Sequence, residues 1–228
     1  MLDTVMTPEA TVQPATYLGL GRLYQFFELA LAHPAEGLRE FLIASETAEG
    51  FAQAVAAAVL DQEKRDGICE AFEGFTAAAR LCDAETLEAQ HIALFASNYP
   101  SVPCPPYSSL FTTEEGRRLE EMVAIKQEYA QAGFFLSSKF DDFPDHICAE
   151  LEFLQALCFS QTENAVRSAE TEAVREVLLR FLGRHFTPFV ARLAAIAGRE
   201  MPASAYSYML DALSRISAAH LANDRTTD

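Results

Sequence analysis

Apolar residues recur along most of this chain at intervals of three and four, the spacing that places them on one face of an α-helix. The clearest case lies between residues 147 and 158, where four apolar residues follow one another at intervals of four, three and four. These residues are Ile147, Leu151, Leu154 and Cys158. We predict that they form one buried stripe of a core helix.

A polar cluster precedes this stripe. Pro144 favours the first turn of a helix, because its missing N–H would be unpaired there in any case. Asp145 follows it, at the end of the helix dipole that favours a carboxylate. His146 and Glu150 are four residues apart and share a flank, and Asp142 lies just before the proline. The pattern predicts a helix that begins at Pro144 with Asp145 and His146 in its first turn.

Helical spacing also covers most of the remaining chain, and no convincing strand, repeat or low-complexity tract interrupts it. Helices are predicted from Pro14 to Leu31, then to about Ile43, and over about 47–60, 67–81, 112–132, 165–184, 187–198 and 203–221. A further helix is predicted to start at Asp83, with Leu87, His91, Leu94 and Phe95 on one side. The predicted fold is all-α, a single compact bundle of about nine or ten helices over residues 14–222, with two lobes as a possible variant. Residues 1–13 and 223–228 are predicted to be flexible tails.

Several residues are typical of helix ends. Asp83 suits an N-cap. Thr112, with Glu115 three residues later, fits a capping box. Gly133 and Gly198 suit the residue that ends a helix. We therefore predict helix boundaries at these positions, and a polar break around 161–164.

The stretch from Asn98 to Phe111 contains four prolines and is incompatible with a regular helix. Long proline-rich loops within helical proteins are often functional. A well-packed connector accounts for the composition equally well.

Composition excludes several classes of function. The net charge of −16, from 17 basic and 33 acidic residues, argues against unaided nucleic-acid binding and disfavours anionic membranes. The five cysteines form no C-x-x-C pair, which is typical of a reduced chain. The first residues lack the pattern of a signal peptide, and no apolar run approaches the roughly 18 residues of a membrane span. We expect a cytoplasmic protein without an integral membrane segment.

Two constellations raise the hypothesis of an enzyme. Glu88 and His91 form one E-x-x-H pair, whereas a di-iron bundle needs two. His146 and Glu150, with the neighbouring aspartates, suit a metal site or an acid–base group. The alternative interpretation is a capped helix start with a hydrogen-bonded histidine. A metal-dependent helical-bundle enzyme that uses these four residues therefore remains a hypothesis.

Three segments in this order carry a resemblance to a known family. They are LFASNYPSVPCPPYSSLF, DDFPDHICAELEFL and FLGRHFTPFVARL. The chain resembles the TorD/DmsD/NarJ family of cytoplasmic chaperones for molybdoenzymes. It departs from that family at Ser108, where glutamate is frequent, and in having no tryptophan.

The resemblance implies an all-helical chaperone, not an enzyme, without a cofactor or a stoichiometric metal of its own. Such proteins bind the N-terminal segment of a molybdopterin-containing catalytic subunit, frequently a twin-arginine leader, and hold it until the cofactor is inserted. The expected partner is that subunit or its leader peptide, with the chain as monomer or homodimer. A helical adaptor that stays bound permanently is a further hypothesis.

A leader peptide combines arginines with an apolar run. Carboxylates pair with guanidinium groups in a bidentate manner, and aromatic residues of the proline loop suit the apolar run. The predicted peptide-binding residues are Asp142, Asp145, His146, Glu150, Phe95, Pro106, Tyr107, Ser109 and Phe111.

Overall fold

The computed structural model describes residues 14–59, 61–163 and 169–225. The helices are α1 (Pro14–Leu31), α2 (Leu38–Ile43), α3 (Ser45–Ala58), α4 (Gln62–Leu81), α5 (Ala84–His91), α6 (Ser109–Thr112), α7 (Arg118–Gln131), α8 (Ile147–Glu163), α9 (Ala169–Phe181), α10 (Thr187–Glu200) and α11 (Ala205–Arg225). Two π-helical segments, Ile92–Ala96 and Leu182–Phe186, continue α5 and α9. Within these ranges the chain forms no strand, only an isolated antiparallel bridge between Tyr107 and His146. The predicted all-α fold is confirmed.

The core is built around α1 and α8, which pack along each other. The predicted stripe of α8 is buried over its whole length. The opposite side of α1 packs against α3, while α11 packs against α4 and α10. Burying these apolar faces is the main stabilising contribution to such a bundle.

Two of the predicted helix boundaries are confirmed. The Asp83 carboxylate accepts a hydrogen bond from the Thr86 N–H at 2.8 Å, as an N-cap does. Gly133 follows α7 with a φ of 80°, a left-handed conformation that glycine adopts without strain.

The capping box predicted at Thr112 is wrong. The segment Ser109–Thr112 forms the one-turn helix α6, and α7 begins only at Arg118. The Thr112 hydroxyl donates to the Ser108 carbonyl at 3.0 Å instead of capping a helix that follows it. A left-handed Gly116, with a φ of 91°, separates the two helices.

The predicted end of α10 at Gly198 is also wrong, because the helix continues to Glu200. The predicted break around 161–164 lies too early, since α8 continues to Glu163. Residues 164–168, 1–13 and 226–228 lie outside the described ranges. The C-terminal tail predicted from residue 223 is helical as far as Arg225.

The start of α8 differs from the prediction as well. Pro144 and Asp145 lie in a turn, His146 lies in the bridge, and the helix begins at Ile147. Backbone pairing with the proline loop holds these residues outside the helix, so a tertiary contact overrides the local preference.

None of the helices in the described ranges combines the length and the hydropathy that a membrane span requires.

Candidate functional site

The proline loop and the start of α8 are joined by a short antiparallel contact, which we call the clasp (residues 106–109 with 145–150). The Ile147 N–H donates to the Pro106 carbonyl at 2.8 Å, and the Ser108 N–H donates to the Asp145 carbonyl at 3.0 Å. These two bonds flank the bridge between Tyr107 and His146. The clasp therefore brings together residues that are about 40 positions apart in sequence.

Two serines of the loop pair with two buried carboxylates in the clasp. The Ser109 hydroxyl and N–H donate to Asp145 at 2.6 and 3.3 Å. The Ser108 hydroxyl donates to Glu150 at 2.5 Å. All four residues are fully buried. The geometry gives these two carboxylates a role in holding the loop on α8.

Burial has a strong effect on Glu150. Loss of solvent raises the pKa of this carboxyl well above its usual value, and the charges of Asp145 and Glu121 raise it further, although the Ser108 hydrogen bond opposes them. A carboxyl group in this state favours its neutral form. The clasp thus contains a side chain that resists ionisation.

The outer side of the clasp is open to solvent. The side chains of Asp142 and His146 are 35% and 19% exposed, and their polar atoms lie 3.8 Å apart. The Tyr107 ring meets the His146 ring edge-on, with centroids 5.5 Å apart, and meets Phe143 in the same way at 5.8 Å. Tyr107, Asp142, Phe143 and His146 form what we call the outer surface of the clasp.

The histidine on this surface is held in one tautomer. The Cys148 N–H donates to the His146 Nδ1 atom at 3.2 Å, so a neutral ring carries its proton on Nε2, which faces Asp142. Burial lowers the pKa of His146, while Asp142 and Asp145 oppose this change. The pKa of Tyr107 is raised, first by burial and then by its hydrogen bond to Asp142. The surface therefore presents a carboxylate beside two uncharged rings.

The nine residues predicted to bind peptide are not all brought together. Seven of them lie in the clasp or on its outer surface. They are Pro106, Tyr107, Ser109, Asp142, Asp145, His146 and Glu150. Phe95 is buried between His91 and Tyr206, and Phe111 packs on Phe189. The peptide-binding role of all nine residues stays a prediction.

Two buried glutamates of α7 bind side chains of α9 and of the π-helical segment that follows it. Glu121 accepts a hydrogen bond from His185 Nδ1 at 2.7 Å. Glu128 accepts three hydrogen bonds from the Arg180 guanidinium, the shortest at 2.5 Å. The Tyr129 hydroxyl, on the same helix, donates to the Pro144 carbonyl at 2.8 Å. α7 therefore fixes the end of the connector that leads into the clasp.

That connector, residues 134–143, contains aromatic residues that sequence analysis did not single out. Phe135 is 80% exposed and Phe143 is 54% exposed. Large exposed apolar patches are typical of interaction sites, so this segment is a candidate contact surface. The Phe134-Phe135 pair directly after a helix-ending glycine was the signal available in the sequence.

The metal-enzyme hypothesis receives no support from the described part of the chain. It contains no group of three or more His, Cys, Asp or Glu side chains arranged to hold a metal ion. The ring of His91 is buried and lies 3.1 Å from the Leu31 carbonyl, while Glu88 faces His33 on the surface. Glu150 is bonded to Ser108 instead of facing the ring of His146.

Comparison with known proteins gives two kinds of similarity. A family model described as nitrate reductase delta subunit matches residues 61–195, which include the whole clasp. The perchlorate reductase assembly chaperone protein of Dechloromonas aromatica (strain RCB) is 23% identical over 140 residues, which are 61% of this chain and 62% of that protein. The selenate reductase assembly chaperone protein of Thauera selenatis is 32% identical over 139 residues, or 60% and 69% of the two chains. The similarity to the first relative thus spans less than two thirds of its length.

Proposed function

The chain belongs to the nitrate reductase delta subunit family, and on that premise we propose that it is a cytoplasmic assembly chaperone for a reductase. The names of the two relatives support this proposal, because each is an assembly chaperone for a reductase. In this proposal the client is a catalytic subunit that receives a molybdopterin cofactor. The chaperone binds the client's N-terminal segment, a twin-arginine leader, and holds it until the cofactor has been inserted.

The observation that carries this proposal is the exposed carboxylate of Asp142 on the outer surface of the clasp. Asp142 lies 3.8 Å from His146, in a wall formed with Tyr107. A guanidinium group binds a carboxylate through two parallel hydrogen bonds and stacks on aromatic faces. Asp142 and Tyr107 offer both contacts to one arginine. Asp145 and Glu150 act indirectly here, since they are buried and position the loop that carries Tyr107.

The whole chain favours the same partner. Its net charge of −16 attracts a basic segment and accelerates encounter, most strongly at low ionic strength. Long-range attraction does not select a site, however. Selection depends on the short-range contacts at the outer surface of the clasp.

Calorimetric titration of a synthetic twin-arginine leader peptide tests this proposal. Asp142→Asn is expected to weaken binding about 10- to 100-fold, since a hydrogen bond between charged groups contributes about 1.5–3 kcal/mol. Asp66→Asn is the matched control, because it makes the same charge change on the exposed side of α4. A peptide in which glutamine replaces both arginines should bind the wild-type chain and Asp142→Asn equally weakly.

Two outcomes contradict the proposal. The first is that the wild-type chain gives no binding heat with the leader peptide. The second is that Asp142→Asn and Asp66→Asn bind the arginine peptide with the same affinity, which would leave only the long-range effect of charge.

The family description favours one alternative, a permanent adaptor subunit, since it names a subunit of a reductase. The two functions differ in the lifetime of the complex. A chaperone releases its client once the cofactor is present, whereas a subunit stays bound. Persistence of a stoichiometric complex with the cofactor-loaded enzyme through extensive washing would favour the adaptor.

A further inference from the structure

An apolar groove with a volume of about 250 Å³ lies between α8 and the connector 134–143. We call it the α8 groove. Half of its ten lining residues are aromatic, and Glu152 is the carboxylate among them. The aromatic residues are Tyr129, Phe134, Phe135, Phe140 and Phe153.

The groove adjoins the clasp at the start of α8. Ala149, Phe153 and Ala156 line the groove, and their intervals of four and three place them along one side of α8. From Ala149 to Ala156 the distance along the helix is about 10 Å, at 1.5 Å per residue. His146, on the outer surface of the clasp, precedes Ala149 by three residues. An apolar floor therefore starts next to the residues that surround the exposed carboxylate of Asp142.

Ring contacts and one hydrogen bond join the walls of the groove. The Phe153 ring packs against Tyr129 with centroids 4.5 Å apart and against Phe134 at 5.7 Å. The Tyr129 hydroxyl bonds the Pro144 carbonyl at the far end of the connector. Phe135 alone among the aromatic residues of the groove is largely in solvent, with 80% of its surface exposed. This ring has no partner in the described chain that buries it.

The charges around the groove are mainly negative. Asp141 and Asp142 are exposed at the end of the connector, and Glu152 lies on the α8 side. Burial raises the pKa of Glu28 on α1, and the nearby charge of Glu152 raises it further. Lys139 is the connector's own cation. An apolar segment that carries positive charge at one end complements this arrangement.

We propose that the α8 groove binds the apolar run of the leader peptide while the peptide's arginines contact Asp142. This inference rests on the proposed function and assigns its apolar subsite to α8 and the connector, in place of Phe95 and Phe111. The volume is below the range of about 300–1,000 Å³ that encloses a small molecule, and suits individual side chains of a bound segment.

A second apolar groove of about 240 Å³ provides the contrast. It lies between α1, α2 and α3 and is lined by Phe26, Phe41 and Arg22, among others. A cation at its wall repels an arginine-bearing segment, and the groove is formed by helices that carry no part of the clasp. Phe41 is 46% exposed there, which makes it a matched control for an exposed aromatic ring of the α8 groove.

Fluorescence anisotropy with labelled peptides tests the inference. The probes are a leader peptide with two adjacent arginines and an apolar run, and a second peptide with the same arginines and serines in place of that run. Phe135→Ser is expected to weaken binding of the first peptide about tenfold, as loss of an aromatic anchor does. Phe41→Ser should leave that affinity unchanged. With the serine peptide, Phe135→Ser and the wild-type chain should bind equally.

Each outcome decides between the two proposals. If the wild-type chain binds the first peptide and Phe135→Ser binds it equally well, the groove assignment is wrong and the proposed function stands. The same conclusion follows if Phe41→Ser alone weakens binding. If the wild-type chain binds neither peptide, the proposed function itself fails. The groove assignment is also wrong if a second copy of the chain occupies the groove. In that case the wild-type chain would be a dimer, and Phe135→Ser would be a monomer that binds the peptide equally well or more tightly.

Discussion

Single residues of the clasp show what short-range sequence patterns can and cannot predict. Asp142 and His146 lie close together, as their spacing of four residues predicts. The serines that bond Asp145 and Glu150, however, lie 36 and 42 positions earlier in the chain, and no local pattern specifies such a pairing. The burial of Asp145 and Glu150 depends on those partners, so the sequence alone left the two carboxylates on the surface.

The buried carboxyl of Glu150 leads to a prediction about pH. Its folded-state pKa is raised well above 4.5, so the folded protein keeps a proton that the unfolded chain loses. The free energy of unfolding therefore falls as pH rises from about 4.5 to the folded-state pKa, by up to about 1.4 kcal/mol for each pH unit. Glu150→Gln removes this loss while it retains a partner for the Ser108 hydroxyl. Its stability advantage over the wild-type chain should grow with pH across that window.

Urea unfolding at about pH 5 and about pH 8 measures this difference. Glu152→Gln, an exposed change on the same helix, is expected to alter stability by less than about 0.5 kcal/mol. A stability difference between Glu150→Gln and the wild-type chain that is constant with pH would show that Glu150 titrates in the folded state as it does in the unfolded chain.

At the scale of helices, apolar spacing predicted most of the elements and their inward faces. It succeeded where local preference and packing agree, as for α1 and the stripe of α8, whereas α4 begins at Gln62, five residues before the predicted start. It failed at the start of α8. There the Ile147 N–H and the Asp145 carbonyl bond Pro106 and Ser108 of the proline loop, and the helix begins three residues later than predicted. It also failed at Thr112, because the turn that begins at Ser109 uses the hydroxyl in a different contact.

The crossing of α1 and α3 provides a test at this scale. A Cβ atom on Gly19 would lie 2.7 Å from the Ala54 carbonyl oxygen and 3.1 Å from the Ala58 nitrogen. Backbone atoms of a packed helix cannot give way as a side chain does, so Gly19→Ala must separate the two helices. We expect a loss of about 1–3 kcal/mol in the free energy of unfolding, measured by chemical denaturation.

Gly50 is the matched control on α3. It is an exposed helical glycine, and a Cβ atom added there would meet no other atom within 4 Å. Gly50→Ala should therefore increase stability by up to about 1 kcal/mol, since alanine favours the helix more than glycine. Equal effects of the two substitutions would show that close approach at Gly19 does not limit the packing of α1 on α3.

At the scale of the whole molecule, the all-α fold and the family were both predictable from sequence. Composition and periodicity favour helices over strands, and three separated segments carry the family resemblance. The α8 groove was not predictable, because its walls come from α7, the connector and α8, whose relative positions depend on tertiary contacts such as that between Tyr129 and Pro144. The charge of −16 was evident throughout, but it specifies the sign of a partner and not the place where it binds.

Hydrogen–deuterium exchange of the full chain with and without a twin-arginine leader peptide tests the central claim most directly, because it locates the binding surface. The account predicts slower exchange of backbone amides in residues 134–149, which include the connector and the first residues of α8. Exchange in α2 and α3 should change little. Unchanged exchange in 134–149 at saturating peptide, or protection confined to α2 and α3, would contradict it.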